Sequence, residues 1–174
     1  ASSPIEQGTT FSWGEVSEGK EHSWESYKYS REKSSYITKY CDNETVGIVD
    51  RKHTLELLDD AAYFNWGRGW RIPTSKEFAE LRNKCIWKKE NINEVEGYRI
   101  IGKNGNSIFL PFNGFVTHVA KLHDDNIVYK HAQIHTSDGG SGYYWTSSID
   151  INNSKKAWGF VINSDTYGVN SFNR

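Results

Sequence analysis

The alternation of apolar and polar positions divides the chain near residue 43. Up to about Asn43 the sequence is polar and punctuated by rings: Phe11, Trp13, Trp24, Tyr27, Tyr29, Tyr36 and Tyr40. No helical or strand period runs through it, and it reads as irregular loop pinned down by aromatic side chains. Leu57 to Phe64 then predicts a helix with Leu58, Ala61 and Ala62 on one face. Asp59 and Asp60 fall in its first turn, where the helix dipole favours negative charge. The segment Trp70-Arg71-Ile72-Pro73-Thr74-Ser75-Lys76-Glu77 carries a capping box, with Thr74 as N-cap and Glu77 three residues on. Phe78, Leu81 and Cys85 follow at helical spacing, so a helix is predicted over about Ser75 to Lys84. The period then changes to that of strands. Tyr98–Ile101 and Ser107–Leu110 flank Asn104-Gly105 and read as a β-hairpin. Further strands are predicted at Tyr143–Ser147 and Ala157–Asn163, and Asp165 to Gly168 turns into a last short segment. Loops and helices come first and antiparallel strands later, which is the order of an α+β domain.

Composition sharpens this picture. A chain of 174 residues suits one domain, and one of this size buries about 70% of its extended surface without needing a metal or disulfide staple. Only 36% of residues are hydrophobic, yet 14% are aromatic, with seven Trp, ten Tyr and eight Phe. Rings must therefore fill much of the core, and they also suit a recognition face. The 21 basic and 22 acidic side chains leave a net charge of −1, which gives no overall drive toward nucleic acid. Lys84, Lys88 and Lys89, and likewise Lys155 and Lys156, are interspersed with acids and read as solvated faces. A mean hydropathy of −0.73 and the lack of a long apolar run exclude direct membrane insertion through a spanning helix. The chain contains no Met and starts at Ala1, so it is expected to be a processed product or an excised domain. Cys41 and Cys85 lack metal-ligand spacing; a bridge between them and two separate thiols both remain open.

Several motifs together resemble one family. They are Phe11-Ser12-Trp13-Gly14-Glu15, Lys39-Tyr40-Cys41, Asp59-Asp60-Ala61-Ala62, Asn65-Trp66-Gly67 and Trp70-Arg71-Ile72-Pro73-Thr74. Gly105-Asn106-Ser107-Ile108-Phe109-Leu110-Pro111 and Tyr143-Tyr144-Trp145-Thr146-Ser147-Ser148 continue the series. In this order they resemble the Fibrobacter succinogenes major paralogous domain family of gut Bacteroidetes. That resemblance implies a C-type-lectin-like fold, related to formylglycine-generating enzymes, with two helices packed on short twisted antiparallel strands. It implies a single domain over 1–174 without the family's first and last strands. Related variable proteins of diversity-generating retroelements bind ligands through a tract after the Tyr-Tyr-Trp strand. The matching stretch here is Ile149 to Asn173. By that resemblance the ligand-binding residues are expected to be Trp145, Asp150, Asn152, Asn153, Trp158, Asn163, Tyr167, Asn170, Phe172 and Asn173, with Trp158, Tyr167 and Phe172 as anchors.

The expected function is non-enzymatic recognition of a protein or glycan at the cell surface or outside the cell, with no cofactor. The alternatives are a structural or adhesive module of a surface lipoprotein or pilus assembly, and a relative of the formylglycine-generating enzymes. Cys41 and Cys85 do not match the late cysteine pair that the last chemistry needs. Asp59 and Asp60 could pair for acid–base work, but helix stabilisation is the simpler role. Arg71 and Glu77 are expected to lock helix to sheet through a cap and a buried guanidinium. Thr117 to Gly142 is a polar stretch, read as loop or strand from Ile127-Val128-Tyr129 and its Gly-rich end. It contains His118, His123, His131 and His135 around Asp124 and Asp125. Those four would suit zinc only if His131 and His135 shared a helix face and a third ligand joined them, and a solvated loop is the favoured reading. Neither Glu-Pro-Asn, Gln-Pro-Asp nor Trp-Asn-Asp occurs, so calcium-mediated sugar binding has no motif to rest on.

Overall fold

Aromatic side chains hold the first third of the molecule, as its composition predicts. The computed structural model describes residues 6, 8–18, 23–31, 35–123, 126–135 and 140–174; the side chains of 115–139, the four His among them, lie outside the described set. Residues 8–18, 23–31 and 35–56 form turns joined by isolated bridges, such as Ile37 to Gly47. Trp13, Tyr27, Tyr29 and Tyr40 stack edge to face beneath them, and with Leu55, Ile149 and Ala157 they make one core.

Two helices follow, α1 (Ala61–Trp66) and α2 (Ser75–Lys84). The helix predicted from Leu57 divides: Leu57–Asp59 is a 3-10 turn and α1 starts four residues later than predicted. Asp60 is the reason. Its backbone is extended (φ −93°, ψ 112°) and its carboxylate accepts from the Ala62 and Tyr63 amides, so it is a cap and not a helical residue. Leu58, predicted to share a helix face with Ala61 and Ala62, is 73% exposed whereas Ala61 is buried. Helix α2 spans the predicted residues, with both halves of the capping box formed between Thr74 and Glu77.

Among the described residues, eight strands complete the fold. β1 (Ile86–Ile92), β2 (Val95–Ile101) and β3 (Ser107–Pro111) form an antiparallel sheet in that order. β4 (Phe115–His123) and β5 (Asn126–His135) pair as a hairpin, so this stretch is strand and a helical His131–His135 face does not form. β6 (Ser141–Ile149), β7 (Lys156–Asn163) and β8 (Tyr167–Asn173) make a second three-stranded antiparallel sheet. The architecture is therefore α+β. A second core of Phe78, Tyr98, Ile100, Phe112, Phe160 and Ile162 lies between α2, the first sheet and β7. Because strand side chains alternate, Ala157 joins the aromatic core on one face of β7 while Phe160 and Ile162 join the second core on the other. The last sheet thus separates the two cores.

Candidate functional site

The same alternation distributes the ten predicted ligand contacts. Register pairs Gly159 with both Trp145 and Asn170, and Ala157 with Phe172. This places Trp145, Asn170 and Phe172 on the face of the last sheet that carries Ala157, where Trp145 packs against the aromatic core and Asn170 is exposed. There the Phe172 ring meets Tyr143 (centroids 5.7 Å) and Trp145 (6.2 Å), lying across Gly159, where a Cβ would come within 2.9 Å of it. Trp158, Tyr167 and Asn173 belong to the opposite face. Tyr167 stacks on Trp87 at 4.2 Å and 10° and packs against the second core, so it is a structural ring. Asn163 organises the β7–β8 turn: its Oδ1 accepts from the Asp165 and Thr166 amides at 3.0 and 2.6 Å. Asp150, Asn152 and Asn153 lie in the β6–β7 loop at the other end of the sheet, about 25 Å away for strands of this length. The ten residues therefore do not share one surface.

The β6–β7 loop is closed by its own backbone. Asp150 N donates to Lys156 O at 3.1 Å, Lys156 N to Asn153 O at 2.8 Å, and Asn153 N to Asp150 O at 3.1 Å. Asp150 is buried and its carboxylate accepts the Asn152 amide at 3.0 Å, so it shapes the loop from inside. Asn152 and Asn153 are left on the exposed rim; Asn153 Oδ1 takes the Lys155 amide at 3.1 Å. Facing them is a loop that carried no predicted role, residues 42–51. Asp42 N donates to Ser154 Oγ at 3.0 Å, tying the two loops together. Between them opens a groove of about 800 Å³, lined by Asp42, Asn43, Glu44, Val46, Val49, Arg51 and Ile151–Ser154.

The facing loop is built around Asp50. Its carboxylate accepts from the amides of Tyr40 (2.9 Å), Cys41 (3.0 Å) and Lys52 (3.2 Å). Burial alone would raise the Asp50 pKa, but these donors and the Lys52 charge hold it below the usual carboxylate range. Tyr40 (φ 61°) and Arg51 (φ 54°) bracket the loop in the left-handed region, a strained arrangement for non-glycine residues that is enriched at binding sites. The sequence signal that could have pointed to this groove is the apolar Val49 within polar surroundings, which the fold leaves exposed in its lining.

The acidic pair divides its work. Asp60 caps α1 and also accepts the Ile72 amide at 2.8 Å. Asp59 is buried and accepts from Lys28 Nζ (2.8 Å), Lys39 Nζ (2.5 Å) and Tyr40 Oη (2.6 Å). Burial pushes its pKa up, but the two ammonium groups and the phenol outweigh this and hold it far below the usual range. A carboxylate so fully engaged is an anchor and is poorly placed to shuttle protons. Arg71, expected to be buried, has a side chain 51% exposed; its guanidinium grips both Glu77 oxygens at 2.8 and 2.5 Å from the surface. The buried guanidinium is that of Arg174. It lies over Trp13 at 5.4 Å, donates to Lys39 O at 3.1 Å, and leaves Nε and Nη1 without a partner.

Cys41 and Cys85 are free thiols. Cys41 is buried and donates to Asn43 O at 3.2 Å, whereas Cys85 packs against the second core. Among the described residues no group of three or more His, Cys, Asp or Glu is arranged to hold a metal ion. The groove carries amide, carboxylate and guanidinium groups on loops fixed by their own hydrogen bonds. Comparison with protein-family models, with characterised proteins and with solved structures finds no match to this chain.

Proposed function

We propose that this chain is a non-enzymatic recognition domain with a C-type-lectin-like fold, displayed at the cell surface, that binds a protein or glycan through the tract from Ile149 to Asn173. The observation that carries the reading is the β6–β7 loop. Its backbone bonds and the Asp150 carboxylate are satisfied internally, which leaves Asn152 and Asn153 on a rigid rim beside a groove of about 800 Å³. A pre-organised polar rim loses little entropy when it binds, and Asn offers both donors and acceptors. The fold reading is supported by the way a loop-rich first half is tied to the C-terminal sheet: Trp13 Nε1 donates to Thr146 O at 2.8 Å and Trp145 Nε1 to Phe11 O at 3.0 Å.

The test is an array of proteins and glycans probed with the intact chain and with an Asn152→Ala/Asn153→Ala variant. Both residues are exposed and the loop's three backbone hydrogen bonds need neither side chain, so thermal melting should show the variant folded. Its binding to any ligand found should fall at least about tenfold, roughly 1.4 kcal/mol. Unchanged binding in that variant would remove the groove from the proposal. Replacing Tyr167 would be uninformative, because its ring is packed on Trp87.

A second reading, as a structural or adhesive module, draws on β8. This edge strand runs Tyr-Gly-Val-Asn-Ser-Phe-Asn, seven residues without a charge or a proline. Edge strand β1 carries Lys88, Lys89 and Glu90, side chains that discourage edge pairing. If β8 serves assembly, sedimentation will show self-association that Asn170→Lys, at an exposed position of the strand, abolishes; a monomer at all concentrations would rule this reading out.

A further inference from the structure

Large apolar side chains stand in water where α1 ends. Trp66 closes the helix and Trp70 follows across a turn, with exposures of 61% and 60%. Their rings meet edge to face at 5.6 Å and 77°. An aromatic ring commonly buries about 150–250 Å², so two left in solvent on an ordered turn mark a binding surface. The turn is firmly held. Gly67 N donates to Tyr63 O at 2.9 Å, Trp70 N to Gly67 O at 3.1 Å, and Ile72 N to the Asp60 carboxylate at 2.8 Å. Gly67 has φ +89°, and neither it nor Gly69 has any atom within 4 Å of where a side chain would begin, so the space beside Arg68 is open.

The hydrogen-bonding character of the turn narrows the ligand. Among the described residues, the indole N–H groups of Trp66 and Trp70 and the exposed guanidinium of Arg68 have no protein acceptor. All three groups are donors only. The neighbouring Arg71 is already committed to Glu77. A complementary ligand must bring a C–H face for an indole, acceptors for its N–H, and negative charge for Arg68.

We propose that the turn Trp66-Gly67-Arg68-Gly69-Trp70 binds an acidic saccharide, a uronic-acid unit laying its pyranose face on an indole and its carboxylate on Arg68. Charge complementarity excludes a cationic ligand. The perpendicular rings give no parallel platform for successive nucleobases, and a charged side chain at the tip opposes insertion into a bilayer. The turn shares no residue with the groove between 42–51 and 151–154, so either proposal can fail alone.

The experiment titrates the intact chain with trigalacturonic acid and with its neutral methyl ester, read by indole N–H resonances and tryptophan fluorescence. The acid should bind with a dissociation constant of about 0.1–1 mM and the ester about tenfold more weakly. Of the seven tryptophans, the resonances of Trp66 and Trp70 should move. Trp66→Ala and Trp70→Ala should abolish binding, and Arg68→Ala should reduce the acid to the level of the ester. These side chains are largely in solvent, so thermal melting should show the variants folded, and the comparison of acid with ester needs no variant. No saturable binding of the acid, equal affinity for acid and ester, or shifts confined to other tryptophans overturns the proposal. So does binding to phosphatidylglycerol vesicles or oligothymidylate without binding to the acid.

Discussion

At the scale of single residues, buried charge decides more than sequence neighbourhood suggests. Asp59 gathers Lys28, Lys39 and Tyr40 from the irregular first segment, so its removal leaves those donors facing each other. Asp59→Ala should destabilise by about 3 kcal/mol, measured by urea unfolding; the partial exposure of both lysines keeps it at the low end of the range for broken buried pairs. The adjacent Asp60 was legible from sequence as a helix-start acid, but the buried role of Asp59 was not, because its partners are 19 to 31 positions away. The arginines show the same limit. Sequence placed the buried guanidinium at Arg71, as part of a unit locking helix to sheet, yet the local ion pair with Glu77 is satisfied in solvent, and it is Arg174 that is enclosed. Arg174→Ala would open a void under Trp13 and should lower Tm by about 4 °C. Arg174→Met keeps the volume while removing an incompletely satisfied charge, so its Tm should equal or exceed that of the parent chain.

Helices and strands were readable wherever the determinant is local. The capping box specified α2 to the residue, and Thr74→Ala should cost about 1 kcal/mol. Glu77 adds a pH dependence. The Arg71 guanidinium, with the Thr74 amide and hydroxyl, lowers its pKa from 4.5 to about 2 in the folded chain. Its stabilising contribution is therefore complete above about pH 4.5 and is lost as pH falls toward 2; a melting series in Glu77→Gln should lack that part of the acid transition. The hairpin of β2 and β3 was also visible, through Asn104-Gly105. Strand β1 was missed, because Trp87-Lys88-Lys89-Glu90 is an edge with alternating exposure and little apolar content. Its existence depends on pairing with β2, a tertiary fact. At Gly97, facing Pro111 across β2 and β3, a Cβ would lie 2.3 Å from Leu110 O and 2.8 Å from Pro111 Cα. Neither backbone atom can yield, and Gly97→Ala should destabilise by about 2–3 kcal/mol on chemical unfolding.

Taken whole, the molecule is two aromatic-rich cores on either side of one sheet, and this division explains what happened to the predicted ligand surface. A period of two sends neighbouring residues of the C-terminal tract to opposite cores, so a continuous stretch of sequence becomes a rim, a turn, a cluster beside the first core and a ring packed on the second. Which of these a residue joins depends on register across β6, β7 and β8, and composition carries no record of register. The ties across the molecule have one more effect. Trp13 reaches Thr146, Trp145 reaches Phe11, and Arg174 covers Trp13. The tryptophan- and tyrosine-rich segment of residues 11–40 is therefore completed by partners 133 and 134 positions later in the chain, and its rings are fully covered only once those strands are in place. Until that closure those rings are an open apolar surface, the part of the folding chain most exposed to aggregation.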